Sequence, residues 1–388
     1  MNVSFFYNRL SFYILACFIL MLVIQLCIHW IRFSKLAFYK KKLRPKMDEE
    51  LEPVSVVVCA RDAYEQLTEL IPALLNQNYP HFEVVIVNDC SDDETEEYLK
   101  DLERREPRVK CVQLRQHLNF FIGKKFPLSM GIKSASYDLM VLTEVNCLPT
   151  SPDWLRNMVS RYDENTEVVI GYPRYHAAKG LTNQLIRFDN LQVGMLYLSD
   201  ALSGHPSIGV GKNLSYRKRL FFENKGFTSH YTMPAGDDDL FINQVATKKN
   251  AKAFIDAENG IVATPSSSFW SWVRQRCNKY STIKMFRPST RTSMALHYWS
   301  QFLFYGCFVA LFFLKPAFTI EAGLPYYAYY FPALAVLFLL RYVTQLIIYR
   351  GASRRLGEKG LLPGLLLWDA FFAVATPLFR ITGRMTKE

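Results

Sequence analysis

The sequence predicts an α/β domain with a largely parallel β-sheet, flanked on both sides by transmembrane helices. Two observations carry this prediction. The central part of the chain alternates short β-branched apolar runs with amphipathic helical patterns, the order typical of parallel strands joined by helical crossovers. Both ends carry apolar runs of about 20 residues, long enough to span a bilayer as a helix. The 388 residues are enough for a soluble unit and a membrane-embedded unit.

Composition narrows the class of protein. Half of the residues are hydrophobic and 15% are aromatic, which excludes a disordered chain and is high for a soluble one. The net charge of +11 indicates an anionic partner. Because much of this charge lies beside the apolar runs, it favours anionic lipid over nucleic acid, and no nucleic-acid partner is expected. The eight cysteines form no C-x-x-C pair, so neither a zinc site nor a disulfide framework is indicated.

The first apolar run, LSFYILACFILMLVIQLCIHWI, predicts a transmembrane helix over 10–32. It is too long for a signal peptide, and no small-residue cleavage site follows it. Arg9 precedes the run, whereas a group of lysines and arginines follows it in the predicted basic juxtamembrane linker, 33–52. The positive-inside rule therefore places the N-terminus outside and the chain from residue 33 onward in the cytosol.

Further apolar runs follow the predicted soluble domain, 53–268. The basic loop YRGASRRLGEKG lies between the last two runs and should be cytosolic. The last run contains prolines and Asp369, so it is compatible with a re-entrant or interfacial helix as well as with a span. The predicted segments are an amphipathic interfacial segment at 269–296, transmembrane helices at 297–318 and 326–349, and a transmembrane, re-entrant or interfacial helix at 361–379.

The soluble domain opens with alternating strands and helices. The predicted strands are VSVVVCA (54–60), FEVVIVND (82–89), VKCVQL (109–114) and YDLMVLTE (137–144). Ligands of such sheets bind at the carboxyl ends of the strands, so the chemistry is expected in the loops that follow them. Those loops mix carboxylates with lysines and arginines, which suits a nucleotide diphosphate. G-x-G-x-x-G and G-x-x-x-x-G-K-[ST] are both absent from the sequence, so dinucleotide and P-loop chemistry are unsupported.

Seven sequence motifs follow one another along about residues 50–285. They are VSVVVCARDAYEQL, VIVNDCSDDET, GKKFPLSMGIKSASYD, TEVNCLP, GVGKNLSYRKRLFFENKGF, AGDDDLFI and WVRQRCNKY. This series resembles the membrane-anchored, inverting glycosyltransferases of family 2, of the bacterial polysaccharide-synthase type, which have the GT-A fold. The resemblance implies a nucleotide-sugar donor, usually a UDP-sugar, and a glycan or lipid-linked acceptor. It also implies a bacterial-type inner membrane protein with several spans and a cytosolic catalytic domain, acting in polysaccharide biosynthesis of the cell envelope.

The resemblance also implies roles for individual residues. Asp237 takes the position of the general base, with Asp238 as the alternative if the register slips by one residue. The acidic cluster Asp237–Asp239 has a second interpretation: it marks the N-terminus of a helix, because acidic side chains stabilise that end of a helix. The other implied roles are nucleotide-sugar binding by Ala60, Arg61, Glu65, Asp89, Lys124 and Glu144, acceptor or cleft positions for Asn213, Gln275 and Arg276, and binding of Mg²⁺ or Mn²⁺ by Glu144 and Asn146.

Two motifs depart from the family pattern. Glu144-Val145-Asn146 replaces Asp-x-Asp, so the site offers one negative charge instead of two, and weaker binding of the divalent cation is expected. Three outcomes stay open: weakened metal-dependent activity, metal-independent transfer that uses Lys124, Arg274 and Arg276, or an inactive homologue that serves as a membrane scaffold. In the second motif, Asn278 and Lys279 stand where processive members have Arg and Trp, which favours addition of a single sugar.

Arg341 lies inside the third apolar run. An arginine within a membrane is costly unless it is paired. The sequence leaves two partners open, a lipid-linked phosphate and Asp369.

Overall fold

The computed structural model describes most of the chain and shows an α/β domain, with helices on both faces of its larger sheet, joined to a group of long apolar helices. The described residues are 3–40, 45–115, 123–233, 235–266, 268–314 and 327–385. The loop after Leu114 and the connection between the predicted spans 297–318 and 326–349 lie partly outside the described residues.

Ten strands build two sheets. The strands are β1 (Val54–Ala60), β2 (Phe82–Asp89), β3 (Val109–Leu114), β4 (Leu139–Glu144), β5 (Cys147–Pro149), β6 (Val168–Gly171), β7 (Pro173–Tyr175), β8 (Leu214–Arg217), β9 (Ala251–Phe254) and β10 (Ile261–Ala263). The first three have the predicted bounds, and β4 begins two residues later than predicted.

The larger sheet has the strand order β3-β2-β1-β4-β8-β6-β9. Strands β3, β2, β1 and β4 are parallel, whereas β8 runs antiparallel to both of its neighbours. A smaller sheet, β5-β10-β7, packs beside it. The predicted mixed α/β sheet is therefore confirmed, and the carboxyl ends of its parallel strands lie side by side.

Thirteen helices are present in the described part of the chain. They are α1 (Val3–Cys27), α2 (Ser34–Ala37), α3 (Tyr64–Leu75), α4 (Thr95–Arg105), α5 (Lys125–Ser134), α6 (Trp154–Val159), α7 (Leu181–Leu202), α8 (Lys218–Glu223), α9 (Asp239–Val245), α10 (Phe269–Thr282), α11 (Pro288–Phe313), α12 (Tyr327–Leu356) and α13 (Leu365–Met385). A π-helical stretch, Ile28–Phe33, joins α1 to α2, so helical structure continues past the predicted end at residue 32.

Helix α5 packs so closely on the sheet that Gly131 leaves no room for a side chain. A Cβ atom at this position would lie 2.7 Å from Val57 Cγ1 and 2.8 Å from Val87 Cγ2. Both valines are buried, so they have little freedom to move aside.

Gly131→Ala is therefore expected to destabilise the protein by about 1–3 kcal/mol through overpacking. Thermal unfolding of the purified protein in detergent measures this effect. Gly306→Ala is the matched control, because a Cβ atom on this helical glycine of α11 meets no atom within 4 Å. Equal melting temperatures for the two variants would contradict the packing argument.

Four helical stretches are long and apolar enough to cross a membrane: Leu10–Ala37, Pro288–Phe313, Tyr329–Leu356 and Leu362–Arg380. The first three pack on one another through a small apolar core that includes Phe18, Phe304 and Leu334. Large apolar side chains on their outer faces are exposed, among them Leu20 and Val309. Such a surface is typical of helices in contact with lipid.

A buried polar network joins these helices around Asp369 of α13. Arg341 Nη1 donates to Asp369 Oδ2 at 2.8 Å, and Gln301 and Gln345 donate to Oδ1 of the same carboxylate. Arg341 Nη2 also donates to Gln25 of α1. Of the two partners that the sequence leaves open for Arg341, the structure contains the carboxylate, which neutralises the arginine within the helix group.

Helix α13 lies along α10 over much of its length. Phe372 and Phe379 both contact the Trp272 ring, and Phe379 stacks on Tyr280. Because Trp272 Nε1 also donates to Asp189 of α7, this packing keeps α13 beside the α/β domain.

Candidate functional site

The carboxyl ends of β1, β2 and β4 form one edge on which most of the predicted donor-binding residues lie. Cys59 of β1 pairs in register with Glu144 of β4, and buried Ala60 pairs with Asn88 of β2. Asp89 ends β2 next to them. Three strand ends that are far apart in sequence therefore place their last side chains together.

The loops after β1 and β2 are bonded to each other. The Asp62 N–H donates to Ser91 Oγ at 3.0 Å, and the Asp92 N–H donates to Asp62 Oδ1 at 2.8 Å. Asp62 and Cys90 have φ values of 46° and 54°, a left-handed conformation that a short polar side chain such as Asp tolerates. This connection fixes exposed Arg61 at the rim of the site.

Charged side chains from four segments converge on the end of β1. Burial raises the pKa of the Cys59 thiol to about 12, and the charges of Lys124, Asp237, Asp89 and Glu144 all act on this thiol. Asp89 and Glu144 end β2 and β4, whereas Lys124 and Asp237 precede α5 and α9. Their convergence produces a mixed cleft of carboxylates and ammonium groups.

Glu144 is held between two lysines. Lys124 Nζ lies 3.0 Å from Glu144 Oε1, and Lys212 Nζ lies 2.5 Å from Oε2. Lys212 Nζ also donates to Asn146 Oδ1 at 2.9 Å, while Asn146 Nδ2 donates to the Thr264 carbonyl. Burial alone would raise the pKa of Glu144, but the two ammonium groups hold it well below its ordinary value.

Lys212 is fixed in place by its surroundings. It lies in a short 3₁₀ turn, Gly211–Asn213, in which the Gly211 N–H donates to Asp238 Oδ2 at 3.0 Å. The Thr143 hydroxyl donates to the Lys212 carbonyl at 3.1 Å. The ammonium group is therefore positioned beside Glu144 before any ligand binds. Sequence reasoning missed this residue, although it stands between Gly211 and Asn213 in the motif GVGKNLSYRKRLFFENKGF.

The three side chains of the acidic cluster, Asp237, Asp238 and Asp239, lie in three different environments. Asp237 is half-buried, and burial together with the neighbouring Asp238 raises its pKa to about 6, against the effect of Lys124. Asp238 instead accepts from the N–H groups of Gly211 and Asp239, so it caps α9 and holds the Lys212 turn. This structural role disfavours the alternative prediction of Asp238 as the base.

Asp239 is buried at the start of α9. It accepts from its neighbour's N–H and from the Thr282 hydroxyl, which ties α9 to α10. Burial and Asp238 raise its pKa to about 7.

Lys125 differs from its neighbour Lys124. It is buried, and its Nζ donates to the carbonyls of Met233 and Ala235 at 2.6 and 2.7 Å. These bonds hold the segment that leads into Asp237. In the sequence the two lysines look equivalent, and only the direction of α5 separates a cleft residue from a positioning residue.

The predicted metal ligands come together, but their arrangement does not fit a divalent cation. Both carboxylate oxygens of Glu144 and the amide oxygen of Asn146 already accept from ammonium groups. In the described ranges, no group of three or more His, Cys, Asp or Glu side chains could hold a metal ion. The prediction that Glu144 and Asn146 bind Mg²⁺ or Mn²⁺ is therefore not supported by the geometry, because a positively charged side chain lies where the cation would lie.

The predicted acceptor residues are not brought together. Asn213 is buried. Its side-chain Oδ1 accepts from Trp154 Nε1, and its Nδ2 donates to the Tyr172 carbonyl, so its role is structural. Gln275 is exposed on α10, and Glu65 is exposed in the first turn of α3. Arg276 forms an ion pair with Asp189.

A small cavity of about 50 Å³ lies beside the acidic cluster. Its walls are mostly apolar and come from α7, α10 and α11, with Asp239, Arg276 and Lys279 as polar members. An open groove shares Tyr280 and Ile283 with it. The groove is lined by three cationic side chains, Lys284, Arg291 and Arg380, together with Trp299.

Comparison with known proteins agrees with this geometry. Residues 55–223 match the family model described as glycosyl transferase family 2. An uncharacterized glycosyltransferase of Haemophilus influenzae is 26% identical over 115 residues, which are 30% of this chain and 34% of that protein. Poly-beta-1,6-N-acetyl-D-glucosamine synthase of Staphylococcus epidermidis is 25% identical over 198 residues, which are 48% of this chain and 46% of the synthase. The chain thus spans between a third and a half of the length of these curated relatives.

The fold is also found in a solved structure. A mannosyltransferase from Pyrobaculum calidifontis, in complex with GDP-Man and Mn²⁺, superposes with a TM-score of 0.57 at 17% identity, covering 91% of this chain and all of the other. This likeness concerns the fold. It shows that the chain has a GT-A-like mixed sheet, and residues 55–223, which contain most of this sheet, match the glycosyl transferase family 2 model.

Proposed function

We propose that this protein is a membrane-bound inverting glycosyltransferase that moves a sugar from a nucleotide-sugar, of the UDP-sugar class, to a glycan or lipid-linked acceptor at the cytosolic face. The observation that carries the proposal is the convergence of Asp89, Lys124, Glu144 and Asp237 at the end of β1. Ligands bind at this edge in open α/β sheets. The matched family model supports the reaction class, and the similarity to a poly-N-acetylglucosamine synthase supports the donor class.

In the proposed donor site, Ala60, Arg61 and Asp89 hold the nucleotide at the tied loops after β1 and β2. Lys124 faces the diphosphate, because it lies at the start of α5 with its side chain half-exposed toward the cleft. Cationic side chains are the groups that bind phosphate oxygens most strongly. Glu144 keeps the two lysines in place.

In the proposed transfer step, Asp237 takes the proton of the acceptor hydroxyl. The hydroxyl oxygen then attacks the anomeric carbon, and the bond between that carbon and the diphosphate oxygen breaks. Its electron pair remains on the departing nucleoside diphosphate. A base with a pKa of about 6 is suited to this role, since it is largely ionised at neutral pH yet accepts a proton more readily than an ordinary Asp.

Helix packing and charge support the proposed membrane arrangement. We propose three spans, Leu10–Ala37, Pro288–Phe313 and Tyr329–Leu356, with α13 lying in the interface beside α10. The contacts of Phe379 with Trp272 and Tyr280 support this placement of α13. The basic residues after the first span then face the cytosol together with the catalytic domain.

The acceptor side is proposed to be the cavity beside Asp239 and the cationic groove that adjoins it. The groove combines cations and exposed Trp299 next to the start of a span, a composition typical of the membrane interface. This placement favours an acceptor that reaches the cleft from the membrane surface.

Turnover of purified full-length protein tests the proposal. We expect release of nucleoside diphosphate from at least one of UDP-N-acetylglucosamine, UDP-glucose, UDP-galactose and GDP-mannose, in the presence of membrane lipid. Asp89→Asn should raise the KM for the donor by about 10–100-fold with little change in kcat, because it removes a hydrogen bond to a charged group.

Asp101→Asn is the control for this experiment, since Asp101 lies on the exposed surface of α4 and pairs with Arg105. Its kinetics should equal those of the wild type. Absence of turnover and of binding for every donor would instead support the scaffold alternative.

A further inference from the structure

We infer that the ammonium group of Lys212, supported by Lys124, takes the place of a divalent cation in holding and stabilising the donor diphosphate, so that transfer needs no metal. This inference rests on the proposed function and specifies the chemistry of its donor site. The ligand is the diphosphate of a nucleotide-sugar.

The first argument is charge. Without counting Lys124, a motif of two carboxylates with one divalent cation has no net charge, and Glu144 with the ammonium group of Lys212 has none either. In this chain Asn146 replaces the second carboxylate, and Lys212 Nζ bonds both Glu144 Oε2 and Asn146 Oδ1. The loss of one negative charge and the replacement of the cation by a lysine therefore balance each other.

The second argument is geometry. An ammonium group has three N–H donors, and Lys212 uses two of them on Glu144 and Asn146. Lys212 is mostly buried, with 15% of its side chain exposed, whereas Lys124 is 53% exposed on the other side of the same carboxylate. One fixed cation and one cation with freedom to move thus flank Glu144 at the edge where the diphosphate is proposed to bind.

The third argument is preorganisation. Thr143 and Asp238 hold the Lys212 turn from two sides. During transfer, negative charge develops on the diphosphate oxygen as its bond to the sugar breaks. Fixed N–H donors stabilise such charge without rearrangement, which is the largest single contribution in many enzymes. The lysines keep their protons throughout, and the proton of the acceptor goes to Asp237.

Binding of UDP and GDP to the full-length protein in detergent tests the inference independently of turnover. The titration is performed once with excess EDTA and once with Mn²⁺. We expect dissociation constants that agree within about twofold, a free-energy difference under about 0.5 kcal/mol. Turnover, measured in the same two buffers, should agree similarly.

Variants of Lys212 show whether this side chain is responsible. Lys212→Met should lower turnover by about 100-fold or more, as the loss of a transition-state donor does elsewhere. Lys212→Arg should restore part of the loss because it keeps the charge. Lys100→Met is the control, since Lys100 is an exposed residue of α4.

If Lys212→Met does not fold, a double variant tests the same inference. Lys212→Ser combined with Asn146→Asp rebuilds a site of two carboxylates without the ammonium group. Its nucleotide binding should become at least about tenfold tighter with Mn²⁺ than with EDTA. The inference is overturned if wild-type protein binds nucleotide only with Mn²⁺, or if the double variant remains indifferent to it. If no nucleotide binds in either buffer, the proposed function fails and the inference with it.

Discussion

Asp237→Asn is expected to lower the turnover number by about 100–10,000-fold, the range that general base catalysis contributes. The amide cannot accept the proton of the acceptor hydroxyl, whereas its size and shape are nearly unchanged. The KM for the donor should change little, because Asp237 acts on the acceptor side of the cleft. Steady-state kinetics with the best donor from the substrate screen measures both quantities.

Stability separates this loss from misfolding. Burial and Asp238 raise the pKa of Asp237 above its unfolded value, so the ionised side chain opposes folding at neutral pH. Replacement by Asn removes that charge and should leave the melting temperature equal or slightly higher. Asp238→Asn should lower the melting temperature, since Asp238 caps α9 and holds the Gly211 N–H.

The pH profile identifies the base. The wild-type rate should rise with pH and level off above about 6, as Asp237 loses its proton. The charges that set this value are Asp238 and Glu144, which raise it, and Lys124, which lowers it. Persistence of the same limb in Asp237→Asn, together with its loss in Asp239→Asn, would transfer the role to Asp239, whose pKa is about 7.

Glu358→Gln is expected to destabilise the protein by about 3–5 kcal/mol, the cost of breaking a buried ion pair by removing one partner. Glu358 lies in the loop between α12 and α13 and is fully buried at its side chain. Its Oε2 accepts from Arg187 Nη2 at 2.7 Å, and its Oε1 accepts from the Tyr172 hydroxyl at 3.0 Å. The variant would leave Arg187 of α7 buried without its counter-charge.

This pair connects the loop between α12 and α13 to α7 of the α/β domain, so its loss should also loosen the docking of the apolar helices. Thermal unfolding in detergent measures the change, and limited proteolysis in the loop 357–361 reports the loosening. Glu96→Gln is the matched control, because the pair of Glu96 with Lys100 is exposed to solvent and should contribute little to stability. A melting temperature of Glu358→Gln equal to that of the control would show that the pair does not anchor the loop.

Local pattern was enough to predict the strands that carry the site. β1, β2 and β3 have the predicted bounds because continuous apolar runs flanked by polar residues have few other places to fold than a buried sheet. The same reasoning placed Glu144 and Asp89 at strand ends, where the parallel pairing then brings them together.

The sequence pattern could not predict which side chains contact one another. The buried Asn213 and the helix-capping Asp238 look like cleft residues when aligned with the motifs, and their bonds to Trp154, Tyr172 and Gly211 appear only after folding. Lys124 and Lys125 are neighbours in the chain, but Lys124 faces the cleft and Lys125 is buried. Successive residues of a helix point about 100° apart, so adjacent side chains have different surroundings.

The sequence alone determined that this chain has an α/β domain beside long apolar helices, and that Glu144-Val145-Asn146 has one carboxylate where the resembled family has two. Both properties are local in the sequence. The first depends on the length of the apolar runs, and the second depends on the residue types at two positions. Only the tertiary structure decided which cationic side chain lies beside Glu144 and Asn146. Lys212 lies 68 positions from Glu144 in the chain, and the pairing of β4 with β8 places the turn before β8 beside the end of β4. Contacts of this kind depend on the fold as a whole, because the distance between two side chains is set by strand order and not by separation in sequence.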